Sequence, residues 1–123
     1  MKQLLIAAHG SRRTSSNDEL KLLGANVSAN LGVAFDGVEV AFLEFASPSI
    51  ESVLVGFFNG GTTKVVVLPY FLSAGHHVMN DIPREINKVL DQWPDKKIKL
   101  LPHFGALHEM AIVIAEACKN DNF

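Results

Sequence analysis

Apolar residues fall along this chain in two alternating patterns, short continuous runs and longer stripes at helical spacing. "QLLIAAH" is of the first kind, the signature of a strand covered by helices on both faces. Ser16-x-x-Glu19 then supplies a capping-box signal, and Leu20, Leu23, Val27 and Leu31 recur at helical spacing before Gly32. "GVEVAFLEF" predicts a second strand ending near Glu44. Ser47-Pro48 predicts an N-cap with proline in the first turn of a second helix, whose stripe is Ile50, Val53, Leu54, Phe57 and Phe58 and whose stop is Asn59-Gly60-Gly61. "KVVVLPY" is the most hydrophobic strand, with Pro69 marking its exit because proline is poorly tolerated inside a central strand. Ile82, Ile86, Val89, Leu90 and Trp93 outline a third helix stopped near Pro94. "KIKLLPHF" predicts the fourth strand, and Met110, Val113, Ile114 and Ala117 are expected to face inward from a fourth helix.

Four strand-helix units in strict alternation imply an α/β fold: a four-stranded parallel sheet, right-handed crossovers and helices on both faces. At 123 residues the expectation is a single domain, 1–123, without linker, low-complexity segment or repeat. Composition narrows the function. With 48% hydrophobic residues the chain folds rather than staying disordered, and a net charge of -2 provides no broad basic field for nucleic acid. The one cysteine, Cys118, can form neither an internal disulfide nor a Cys-rich metal site and reads as a buried small hydrophobe. The apolar run after Met1-Lys2 is too short for a signal peptide, and none approaches the ~20 residues that span a membrane. The expected location is the cytoplasm, with no membrane partner.

In open α/β sheets ligands bind beyond the carboxyl ends of the strands. Sorted by that rule, His9 ends strand one, Glu44 ends strand two, His76 and His77 follow strand three and His103 ends strand four. The residues best able to bind a divalent metal or move protons therefore gather at one edge. There is no G-x-x-x-x-G-K-[ST], no dinucleotide fingerprint in "HGSRRTS" and no G-x-S-x-G elbow around Ser11, so neither ATP, NAD nor a serine nucleophile is supported. Strand one ends in His9 rather than a carboxylate, which disfavours phosphotransfer signalling. Imidazole and carboxylate without thiolate suit Co²⁺, Fe²⁺, Ni²⁺ or Zn²⁺, although neither H-x-x-x-H nor H-E-x-x-H is present. Adjacent side chains of an extended segment point opposite ways, so His76 and His77 are not expected to face one metal together.

Three motifs are more specific: His9-Gly10-Ser11-Arg12, Phe42-Leu43-Glu44 with Pro48, and "P-x-F-L-x-x-G-x-H-V-x-x-D-I-P" from Pro69 to Pro83. Together, in order and over the whole chain, they resemble the short-form CbiX family, sirohydrochlorin chelatases of the class II tetrapyrrole chelatases. The resemblance implies a flavodoxin-like chelatase fold and ATP-independent insertion of a divalent metal, Co²⁺ foremost and Fe²⁺ next, into sirohydrochlorin or a closely related tetrapyrrole, for cobalamin or sirohaem. It implies a homodimer, since long forms carry two such domains facing one cleft. No cofactor beyond the substrate metal is implied.

In the family's register His77 takes the motif position and His76 the variable one. The resemblance thus makes His9 and His77 the catalytic and metal-holding pair, with Glu44 as third ligand or as the carboxylate that orients a histidine. Arg12 and Arg13 are the cations expected to meet the macrocycle's carboxylates, and Ser11 and Ser73 further hydrogen-bond donors. The family's last motif often reads Gly-x-His-Pro, whereas this chain has Gly105-Ala106-Leu107-His108, so His103 and His108 carry no transferred role. Two alternatives use the same residues: a nickel-inserting chelatase, and a non-catalytic metal or tetrapyrrole carrier.

Overall fold

Leu4 to Ala8 are buried without alternation because both faces of the strand that carries them are covered. The computed structural model describes residues 1–123, the side chains of His77 and Val78 excepted. Its elements alternate as β1 (Lys2–Ala8), α1 (Thr14–Leu31), β2 (Gly37–Phe42), α2 (Ile50–Asn59), β3 (Lys64–Pro69), α3 (Ile82–Gln92), β4 (Lys97–Leu100) and α4 (Glu109–Lys119). The sheet is parallel throughout, in the order β2-β1-β3-β4. One face packs Leu5, Ala7, Ala41, Val65 and Val67 against Ile50, Val53, Leu54 and Phe58 of α2 and Ile82, Ile86 and Val89 of α3. The other packs Leu4, Ile6, Ala8, Val40 and Phe42 against Leu20, Val27 and Leu31 of α1. Lys88 of α3 joins the two helices of the first face, bonding Glu51 at 3.1 Å and Glu85 at 3.2 Å. The bond to Glu51, then that to Glu85, raises the Lys88 pKa above the ordinary lysine value. Register places Ala8 beside Phe42 and Ala7 beside Pro69, so the loops leaving β1, β2 and β3 emerge together.

Several local expectations are corrected. α1 begins at Thr14 with Arg13 as N-cap and no side-chain cap, so Ser16 lies inside the helix and the Ser16-x-x-Glu19 box is not the start. The cause is Asn17, a buried amide that accepts the Ser11 N–H at 3.0 Å and donates to the Ser11 carbonyl at 2.7 Å, tying the first turn to the preceding loop. α2 is capped by Ser49, whose Oγ accepts the Ser52 N–H at 3.1 Å, rather than by Ser47. The Ser47-Pro48 peptide is cis. The Pro48 carbonyl accepts the Phe42 N–H at 2.9 Å, and this bond to β2 keeps the segment out of the helix. β2 stops at Phe42 and β4 at Leu100, both short of the predicted runs.

The largest correction concerns α4. Its expected inward face does not meet the sheet: every residue from Ala111 to Asn120 is exposed, Val113 at 60% and Ile114 at 55%, and Cys118 is an exposed thiol. The turn before it, Phe104–Ala106, is held on the loop after β3 by the Gly105 N–H, which donates to Phe71 at 2.9 Å, and by Tyr70 and Phe104, whose ring centroids lie 5.5 Å apart. Among the described residues no helix is long and apolar enough to cross a membrane.

Candidate functional site

The loop after β1 is stitched to the loop after β2 through backbone: the Leu43 N–H donates to Ala8 at 2.9 Å and the Glu44 N–H to His9 at 3.0 Å. Gly10 holds a φ of 98°, and a Cβ there would run into the Glu44 carbonyl, so the His-Gly step is what lets the loops close. Closure brings His9 Nε2 to 2.9 Å from Glu44 Oε1, while His9 Nδ1 lies 3.1 Å from the Gly10 carbonyl. With Nδ1–H donated to that carbonyl, the 2.9 Å approach of Nε2 to the carboxylate is favourable once Nε2 carries a proton or both atoms hold a cation. The pair can share a cation, or Nε2 can take a proton and keep it beside a negative charge. Both side chains are close to half exposed, open to an incoming ion and substrate.

Phe45, next along, was not among the residues singled out from sequence. It occupies the left-handed region at φ 65°, which costs a non-glycine residue ~1–3 kcal/mol and concentrates at functional sites. That backbone turns its ring outward, half exposed, with its centroid 5.9 Å from that of His9 at 61° and the Arg12 guanidinium 4.7 Å over its face. A phenylalanine in a strand-like run carries no local signal for such a conformation. The Phe45 ring thus links Arg12 to His9. Arg13 is exposed, and its N–H donates to Ser11 Oγ at 3.0 Å, so the Ser11 hydroxyl already serves the turn.

The loop after β3 is not extended as assumed. It leads through exposed Ser73 into a π-helical turn over His77–Asp81 that runs directly into α3. The argument that adjacent side chains alternate therefore does not apply, since helical neighbours project about 100° apart. The His77 side chain, named as ligand and base, lies outside the described residues. His76 is exposed, with Nδ1 3.1 Å from Asn80 Nδ2 and Nε2 4.0 Å from Asp81 Oδ1, and Asp81 accepts from Arg84 at 3.3 Å. Glu44, Leu43, Asp81, Arg84 and Glu85 line a cavity of about 200 Å³ between the second and third loops. Asp81, Arg84 and Glu85 also escaped the sequence reading; the D-I-P of the third motif was the available signal. Among the described residues no group of three His, Cys, Asp or Glu side chains converges to hold a metal ion. Among the described metal-ligand candidates, His9 and Glu44 meet. His103 is half-buried in the turn after β4, and His108 pairs with Glu109 at 3.1 Å on the exposed start of α4.

Sequence comparison sets this edge in a family. The CbiX family profile matches residues 3–121. The chain belongs to the CbiX family. It is 30% identical over 122 residues to the sirohydrochlorin ferrochelatase of Priestia megaterium, covering 99% of this chain and 45% of that protein. To the sirohydrochlorin cobaltochelatase of Saccharolobus islandicus strain L.S.2.15 it is 32% identical over 116 residues, covering 94% and 81%. Among solved structures, the sirohydrochlorin chelatase SirB of Bacillus subtilis subspecies spizizenii, in complex with cobalt, superposes with a TM-score of 0.83 at 26% identity over 97% of this chain and 50% of that one. A CbiX protein from Marinobacter aquaeolei VT8 superposes with a TM-score of 0.82 at 23% identity, over 97% of this chain and 95% of that one, which bears out the fold. The chain spans about half the length of the first curated relatives it matches.

Proposed function

We propose that this CbiX-family chain inserts a divalent metal ion, Co²⁺ foremost and Fe²⁺ next, into sirohydrochlorin or a closely related tetrapyrrole, without ATP or NAD. The observation that carries the reading is the His9 Nε2 to Glu44 Oε1 approach of 2.9 Å, at the edge where the loop bearing His77 arrives. Relatives named for cobalt and for iron chelation support the choice of metals.

Metallation requires the ion to shed ligands and the macrocycle to lose two pyrrole protons as its plane bends. His9 and His77 flank the insertion point, holding the ion and taking up the protons; Glu44 shares the ion with His9 or steadies the imidazolium it becomes. Arg12 and Arg13 meet the carboxylates of the substrate, with hydrogen bonds from Ser11 and Ser73. Phe45, held outward beside His9, offers an apolar face to the macrocycle. Each chain provides one such unit, and two copies pair in the cytoplasm to complete the cleft.

Site variants test the assignment by metallation of sirohydrochlorin with Co²⁺, followed anaerobically by absorbance. Loss of an acid-base group costs about 10²–10⁴ in rate, so His9→Ala and His77→Ala are expected to fall by at least about a hundredfold. His76→Ala is expected to retain most of the rate. If His76→Ala abolishes activity while His77→Ala keeps it, the register of the third motif is wrong.

A further inference from the structure

The loop after β2 is closed at its neck, and Phe45 takes the strain of the closure. The Phe42 N–H donates to the Pro48 carbonyl at 2.9 Å, and Phe42 bridges Ser49 in parallel register. On the outgoing side the Leu43 and Glu44 N–H groups are already held by Ala8 and His9, at 2.9 Å and 3.0 Å. The chain must therefore turn back through Phe45, Ala46 and Ser47. Phe45 makes the reversal at φ 65°, a region that suits glycine or asparagine and strains a bulky residue. Bonds on both sides of Phe45 hold that strain in place, the condition under which such outliers persist at functional sites. The conformation delivers a half-exposed ring in contact with two side chains of the loop after β1. His9 meets it edge-on, 5.9 Å between centroids at 61°, and the Arg12 guanidinium lies 4.7 Å over its face.

Arg12 has an alternative partner close by. Glu44 directly precedes Phe45, is exposed, and sits on a loop stitched to the one that carries Arg12. Guanidinium and carboxylate match as a two-bonded fork. Yet among the described residues Glu44 pairs with His9 at 2.9 Å, and Arg12 is met by the Phe45 ring rather than by a carboxylate. An aromatic face attracts a cation through its quadrupole and neutralises no carboxylate in doing so. The ring thus competes with Glu44 for Arg12. The outcome of that competition matters to an arriving ion: Arg12 on Glu44 would cancel the negative charge that attracts a divalent cation and set a second positive charge beside it.

We infer that Phe45 is a positioning residue whose ring holds Arg12 off Glu44, so that the carboxylate stays open to His9 and the ion while the guanidinium stays exposed for a substrate anion. The inference rests on the metal-insertion reading proposed above and adds to it a group that acts through another side chain.

The test is binding of Co²⁺ alone by the full chain, titrated through the absorbance bands of the ion, with circular dichroism as the check of the fold. Phe45→Leu keeps an apolar side chain at the same φ and removes the aromatic face. It is expected to weaken Co²⁺ binding by about threefold to fivefold, the scale of an exposed ion pair formed between Arg12 and Glu44. Phe45→Tyr, which keeps the ring, is expected to bind as the wild type does. Phe45→Leu combined with Arg12→Gln has no cation left to occupy Glu44 and is expected to recover the wild-type Co²⁺ affinity. Removing Arg12 would not repair the loss of a ring that served packing alone. In metallation Phe45→Leu is expected to raise KM for Co²⁺ more than it lowers kcat. Phe45→Leu binding Co²⁺ as tightly as the wild type, or a double variant no better than Phe45→Leu, overturns the positioning role and leaves the metal-insertion reading standing. A wild type that binds no Co²⁺ overturns the positioning role, and if it also fails to accelerate metallation the reading beneath it falls as well.

Discussion

At Gly10 the backbone approaches Glu44 so closely that one methyl group decides whether the site exists. Gly10→Ala forces a left-handed φ on alanine and pushes a Cβ into the Glu44 carbonyl. The cost of the strain alone is ~1–3 kcal/mol, so the variant is expected to lose at least ~1 kcal/mol in urea unfolding, and to lose metallation rate as His9 and Glu44 separate. An unchanged unfolding midpoint together with full activity would show that the two loops close without this glycine. His9 and Glu44 were legible because strand ends are legible and ligands gather there. Asn17 and Phe45 were not: Asn17 reads as one more polar residue of a helix start, and only the closed loop shows it holding both polar groups of Ser11. Phe45 depends on a φ that its identity disfavours.

At the scale of elements, hydrophobic spacing recovered the four strands and the four α-helices, while the ends depended on which polar residue won the first turn. Ser49 won for α2, so Ser49→Ala is expected to destabilise the protein by ~1 kcal/mol, the usual worth of an N-cap hydroxyl, while Ser47→Ala is expected to have little effect on the unfolding midpoint. The reverse order would return the cap to Ser47. α4 shows the limit of periodicity. The stripe of Met110, Val113, Ile114 and Ala117 identifies an apolar face but does not say which surface covers it, and in the structure that face is turned to solvent. Nor does spacing identify a π-helical turn, because one added residue per turn leaves little trace in so short a segment.

For the whole molecule, the sheet order β2-β1-β3-β4 converts separation in sequence into adjacency at one edge. β1 lies between β2 and β3, so the loop that carries His9 has the Glu44 loop on one side and the His76-His77 loop on the other. That edge holds the imidazole-carboxylate pair, and the opposite, amino edge holds a row of exposed lysines, Lys2, Lys64, Lys97 and Lys99. The most direct test of the whole account is the initial rate of anaerobic sirohydrochlorin metallation by the wild-type protein with Co²⁺, Fe²⁺ and Ni²⁺, each compared with the spontaneous reaction at the same metal concentration. The account predicts acceleration with Co²⁺, and to a lesser degree Fe²⁺, without ATP. Binding of the macrocycle with no rate above the spontaneous one for any of the three ions would contradict it and leave a carrier in its place.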